Sequence, residues 1–272
     1  MAYRLFEGKK HASIYQKYRF SPPEDLKDAI IQYLDTKKGP PHVLAVDLGC
    51  GTGQFTRMLA PHFKEVVGID VSENQVEEAR LVPGYPNVTY RQGTAEDLPF
   101  KDGTIDLLTA ASAAHWFDQV KFLAEVNRVL KPGGCIALLG FSETNLKFNY
   151  KDIGDKLDLI YQEVKQLLQP YTSDPVAISD SKLDAMYSAI SFPDKERVEN
   201  FPTKTLISVS KLMGFIRSWS MFQTFEMKDP QGAEDMINSV QKRILHEMGV
   251  TCPDTEIERE WEYFCVLASK PL

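Results

Sequence analysis

The chain has 272 residues, 43% hydrophobic and 25% charged, ordinary values for a globular protein with length enough for one large domain or a domain carrying an inserted cap. A formal net charge of -7 and a sequence pI near 5.4 argue against a surface adapted to a polyanion, and the densest basic groups, Lys9–Lys10 and Lys37–Lys38, are short. No apolar run approaches the ~18 residues of a membrane span, and the opening MAYRLFEGKKH has no apolar leader core, so a soluble cytoplasmic protein is expected.

In chain order, Pro22 to Leu34 (PPEDLKDAIIQYL) places prolines and acids before apolar residues at helical spacing, a first helix. Strands and helices then alternate: VLAVDL, a helix from about Gln54, EVVGID, a helix from about Glu73, VTYRQG, IDLLTA, a helix through Val120 to Leu130, and CIALLGF ending at Phe141. Such alternation implies a parallel sheet with right-handed crossovers. Beyond Asn145 the pattern becomes helical, as in Leu157 to Leu168, before Arg197 to Ser210 and Glu260 to Lys270 alternate as strands.

The segment Val43 to Gly53 (VLAVDLGCGTG) carries the chemistry. An apolar run ends in Asp47 and opens into Gly49, Gly51 and Gly53, which bring exposed backbone N–H groups beside a carboxylate at the end of a strand. The second strand ends in Asp70, placed as a carboxylate that chelates ribose hydroxyls. Together they suit a nucleoside cofactor. A nicotinamide or flavin enzyme normally shows G-x-G-x-x-G, whereas the spacing here is G-x-G-x-G. The cysteines Cys50, Cys135, Cys252 and Cys265 form no C-x-x-C pair or Cys/His set, so no metal is implied.

With Gln92 to Phe100 (QGTAEDLPF), Ile105 to Ala110 (IDLLTA) and Glu125 to Gly134 (EVNRVLKPGG) following in order, residues 40–141 resemble the class I, Rossmann-like S-adenosylmethionine-dependent methyltransferases, in their small-molecule (methyltransferase type 11-like) branch. The AHWFD run is similar to the corresponding segment of trans-aconitate methyltransferases. The resemblance implies an α/β doubly wound, mostly parallel seven-stranded sheet whose edge pair includes one antiparallel strand, with a helical cap inserted late in the chain. A single domain is expected, with core 22–141, 197–210 and 258–272 and cap 145–195 and 211–250.

It also implies S-adenosylmethionine as cofactor, S-adenosylhomocysteine as coproduct, and cofactor contacts from Asp47, Gly49, Cys50, Gly51, Gly53, Asp70, Val71, Ala95, Glu96 and Ala111. Tyr15 and Arg19 of YQKYR are expected at the methionine moiety, although Phe20 and Ser21 stand where relatives place proline. Thr94 replaces an aspartate common in relatives.

For the acceptor, a small molecule bearing a carboxylate or hydroxyl is expected, and nucleic acid is disfavoured. His115 is the candidate base, or a packing residue with Trp116. A carboxylate acceptor needs a cationic clamp instead, for which Arg217 in GFIRSWS is the candidate, with Trp219, Phe215, Phe222 and Trp261 supplying apolar surface. Protein or RNA methylation, and a silent cofactor-binding subunit acting through a partner, stay open.

Overall fold

A computed structural model describes residues 6, 8–172 and 183–272. Its centre is a seven-stranded sheet of β1 (Leu44–Leu48), β2 (Glu65–Asp70), β3 (Val88–Gln92), β4 (Ile105–Ala111), β5 (Leu130–Asn149), β6 (Asp194–Ser208) and β7 (Glu256–Ser269), in the order β3-β2-β1-β4-β5-β7-β6. Neighbours pair in parallel except β7, which runs antiparallel to both β5 and β6. The expected edge pair is therefore present, with β7 as its antiparallel member. Pro202 sits in β6, the edge strand, where a missing ladder donor is tolerated.

The central strands are buried on both faces, which is why they read as continuous apolar runs. Two cores result. One face packs Leu26, Ile30 and Leu34 of α2 (Glu24–Lys37) and Phe55 and Leu59 of α3 (Gln54–Leu59) against Ala45, Val66 and Leu107. The other packs Phe122, Val126 and Val129 of α5 (Gln119–Val129) against Val46, Leu108 and Ile136. Asp106 pins the sheet's lower end: its buried carboxylate accepts the Val43 and Leu44 N–H groups at 2.9 and 2.8 Å and faces Lys38 and Lys131 at 2.9 Å.

Strand order reverses between β1 and β4, so their carboxyl ends open a crevice. Above it lies α1 (Lys9–Tyr18), and α4 (Glu73–Arg80) flanks it, with the Ser72 side chain capping the Gln75 N–H.

One expected boundary moves. The helical region was expected from residue 145, yet β5 continues to Asn149 because Lys147, Phe148 and Asn149 pair with Glu260, Arg259 and Glu258 of β7, after a register shift beyond Ser142. β4 ends opposite Leu139, so β5, β6 and β7 reach past it as a three-stranded arm. The arm carries α6 (Gly154–Leu168), α8 (Val209–Arg217), α9 (Ser220–Lys228) and α10 (Pro230–Met248), whose apolar faces join the first core. The short α7 (Asp184–Ala189) packs Met186 into the second. Residues 173–182 of the expected cap lie outside the described residues.

Candidate active site

The glycine turn is held from below and from the side. Asp47, 1% exposed, accepts the Thr56 hydroxyl of α3 at 2.6 Å and the Thr109 hydroxyl of β4 at 2.7 Å. Burial pushes its pKa up to about 6, with the two threonine hydrogen bonds pulling the other way. From the side, Asp70 accepts the Gly51 N–H at 2.8 Å and the Ser72 N–H at 2.9 Å. Gly49 has φ +60°, and a Cβ there would lie 2.4 Å from the Ala113 Cβ, so the turn closes only on glycine.

Between this turn and α1 runs a cleft of about 180 Å³. Gly49, Gly51 and Asp70 bring main-chain and carboxylate groups to its lining, and Val71, Ala95 and Phe117 bring apolar surface. Gln75 turns a buried Oε1 with no hydrogen-bond donor among the described residues toward the same lining. Phe6 closes the top, its ring against Tyr15 and Trp116 and its carbonyl accepting the Ser72 hydroxyl at 2.9 Å. A carboxylate for vicinal hydroxyls, apolar surface for a base, and glycines that admit the ligand to the main chain are what an adenosine moiety requires.

A second, smaller chamber of about 50 Å³ adjoins the cleft. Tyr15, Gly49, Ala111 and Ser112 line both. Ser112 holds φ +55°, uncommon for a residue other than glycine, at the point where the two spaces meet. Phe20, Phe55, Phe141, Phe215, Trp261 and Tyr263 give the chamber its aromatic wall, alongside Arg19, Pro22, Cys50 and Gln54.

Residues 46–138 match the methyltransferase domain family. A protein of Dictyostelium discoideum, provisionally named a methyltransferase, is 27% identical over 94% of this chain and 92% of its own. A Saccharomyces cerevisiae protein, provisionally named an S-adenosylmethionine-dependent methyltransferase, is 25% identical over 94% of each. Among solved structures, a provisionally named type II methyltransferase from Anaeromyxobacter dehalogenans superposes with a TM-score of 0.71 at 23% identity, over 94% of this chain and 100% of that one. A Haemonchus contortus phosphoethanolamine N-methyltransferase, solved with S-adenosyl-L-methionine, gives 0.53 at 19% identity, over 99% of this chain and 59% of that one.

Residues 46–138 are a methyltransferase domain, and the chain has the fold of the class I S-adenosylmethionine-dependent methyltransferases. Of the residues expected at the cofactor, Gly49, Gly51, Asp70, Val71, Ala95, Glu96, Ala111 and Tyr15 all line the cleft. Three expected cofactor residues lie elsewhere. Asp47 braces the turn from beneath, Gly53 caps α3 with φ +81°, and Cys50 faces the second chamber, its thiol pushed well up by burial. Arg19 also lines the chamber and not the cleft, its guanidinium 4.9 Å from the Tyr15 ring centroid and 5.3 Å from that of Phe215.

The expected acceptor residues separate further. Trp116 lines the cofactor cleft, and His115 lines neither space; burial lowers the His115 pKa to about 4. Arg217 pairs with Glu234 of α10 at 2.8 Å, and Trp219 is buried against Tyr161 and Phe215. Neither lines the chamber: the Arg217–Glu234 pair is partly exposed, and Trp219 is buried in the helical layer. Phe215 and Trp261 do reach it, and Phe222 does not. Phe20, Ser112, Phe141 and Tyr263 were not singled out as lining residues; the alternation in EWEYFC is the signal that puts Trp261 and Tyr263 on one face of β7. Among the described residues no group of three or more His, Cys, Asp or Glu could hold a metal, and no helix is long and apolar enough to cross a membrane.

Proposed function

We propose that the enzyme methylates a small-molecule acceptor at a carboxylate or hydroxyl, taken into the aromatic chamber beside Ala111 and Ser112. The observation that carries this reading is the junction of the two cavities. A narrow space of about 50 Å³ lined by Tyr15, Phe20, Phe141, Phe215, Trp261 and Tyr263 suits a small organic group better than a polypeptide or nucleic-acid chain. The acidic net charge agrees with that preference.

S-Adenosylmethionine, held by Asp70 and the glycine turn, supplies an activated sulfonium methyl. The protein's part is positioning: the shared residues at the junction would bring the acceptor atom within ~3 to 3.5 Å of that carbon and keep water out. Among the described residues no histidine, aspartate or glutamate lines the chamber. Burial raises the pKa of the Cys50 thiol and the Tyr263 phenol, so neither serves as a base at neutral pH. Such a lining favours a nucleophile that is already ionised when it enters, as a carboxylate is.

The test is methyl transfer from labelled cofactor to a metabolite panel, with protein and RNA pools in parallel. Label is expected in small molecules, on an ester or ether oxygen. Label confined to protein or RNA would overturn the reading.

A further inference from the structure

Gln75 of α4 is 2% exposed, and its Oε1 is buried with no donor among the described residues. A buried amide oxygen left unpaired costs free energy, so an atom in this state calls for a donor from outside the chain. The residue lines the cofactor cleft. A Cβ built on Gly51 would lie 3.6 Å from Oε1, which sets that oxygen beside the residue whose N–H goes to Asp70.

Local sequence offers this glutamine another use, and the structure denies it. Ser72-x-x-Gln75 has the form of a capping box, in which the N-cap hydroxyl accepts the N–H three residues on and the side chain there returns to the N-cap N–H. The first half is made, the Ser72 hydroxyl accepting the Gln75 N–H at 3.3 Å. The second is not, because the Ser72 N–H goes to Asp70 at 2.9 Å. Nor is the Ser72 hydroxyl proton free for Oε1, since it is donated to the Phe6 carbonyl. The Gln75 side chain is thereby released from the end of its own helix.

We infer that Gln75 is a second ribose acceptor, its Oε1 receiving a hydrogen bond from one hydroxyl of the vicinal pair that Asp70 faces. Each Asp70 oxygen already carries one amide N–H, so a further acceptor beside it completes the cradle for two hydroxyl donors. A neutral amide suits the place, because a second carboxylate would set like charges side by side. The inference rests on the assignment of the cleft to the cofactor and is independent of what is methylated.

Calorimetry of S-adenosylhomocysteine and of its 2′-deoxy and 3′-deoxy analogues, against wild type and Gln75→Met, tests it. Methionine has similar length, lacks the acceptor, and keeps the backbone N–H that Ser72 caps. Gln75→Met should weaken S-adenosylhomocysteine binding by about five- to fiftyfold. It should weaken one deoxy analogue by a similar factor and the other by less than ~2-fold, since the hydroxyl that Gln75 meets is missing there. The denaturation midpoint of the unliganded protein should hold, as Oε1 has no partner among the described residues. Gln75→Asn, one methylene shorter, should repeat the pattern and carries the test should Gln75→Met fail to fold. Unaltered affinity for S-adenosylhomocysteine overturns the assignment, and so does an equal loss for all three ligands, which marks a purely structural role in α4. Wild type that binds none of the three removes the cofactor assignment of the cleft and this contact with it.

Discussion

The Asp70 carboxylate accepts the Gly51 N–H at 2.8 Å, so the end of β2 is tied directly to the glycine turn at the end of β1. One oxygen holds the turn and the other holds the Ser72 N–H at the start of α4, which leaves lone pairs on both for ribose hydroxyls. Burial raises the Asp70 pKa while the Ser72 and Gly51 amides pull it down. Asp70→Ala is therefore expected to weaken cofactor binding by about ten- to hundredfold, the loss of a charge-assisted hydrogen bond. Isothermal titration with S-adenosylhomocysteine measures it.

Asp47 behaves differently because it touches the fold and not the cleft. Asp47→Ala strands the Thr56 and Thr109 hydroxyls in a buried site and should cost about 2 to 4 kcal/mol in chemical denaturation. Asp47→Asn keeps one acceptor and one donor for the two hydroxyls, so it should be milder and should weaken cofactor binding less than Asp70→Ala does. A larger affinity loss in Asp47→Asn than in Asp70→Ala would reverse the roles given to the two acids.

His115 gives a pH test. Unfolded, it titrates near 6.5; folded, burial holds it to about 4. Between those values the unfolded chain binds a proton that the native state refuses, so stability from this residue is complete above about pH 6.5 and falls toward pH 4, by up to ~3 kcal/mol. Asp47, with its pKa raised to about 6, contributes in the opposite sense, its stabilisation being present at low pH and lost as pH rises through about 6. The difference between wild type and His115→Gln isolates the histidine. It should move in favour of His115→Gln as pH falls from 6.5 to 4, and kcat at pH 7.5 should change only a few fold, since the imidazole lines neither cavity. A kcat collapse in His115→Gln would make it the base.

Gly214 on α8 admits the Tyr18 ring of α1: a Cβ built there meets ring atoms at 2.3 to 2.5 Å. Gly214→Ala should displace α1, costing about 1 to 3 kcal/mol and raising the acceptor KM. Adding Tyr18→Ala should restore much of the stability, a coupling that a double-mutant cycle reads directly.

The parallel core and the cofactor cleft were legible because their signals are local. Each strand is one apolar run, and Gly49, Gly51 and Asp70 stand at spacings set by one strand-turn-helix unit. The aromatic chamber was much less legible because it joins residues far apart in the chain. Trp261 and Tyr263 face it only because β7 lies between β5 and β6, and Phe20 reaches it only because α1 folds across α8. Arg217 looked available in sequence, and its partner Glu234 comes from the next-but-one helix. Asp47 stands at the expected place in the motif, but it is buried beneath the turn against Thr56 and Thr109 and does not line the cleft.

A crystal structure with S-adenosylhomocysteine bound tests the central claim most directly. The ribose hydroxyls should lie within hydrogen-bond distance of Asp70, the base between Val71 and Ala95, and the sulfur beside Ala111 and Ser112 at the mouth of the aromatic chamber. A nucleoside bound with its ribose away from Asp70, or with its sulfur turned away from that mouth, would contradict the account.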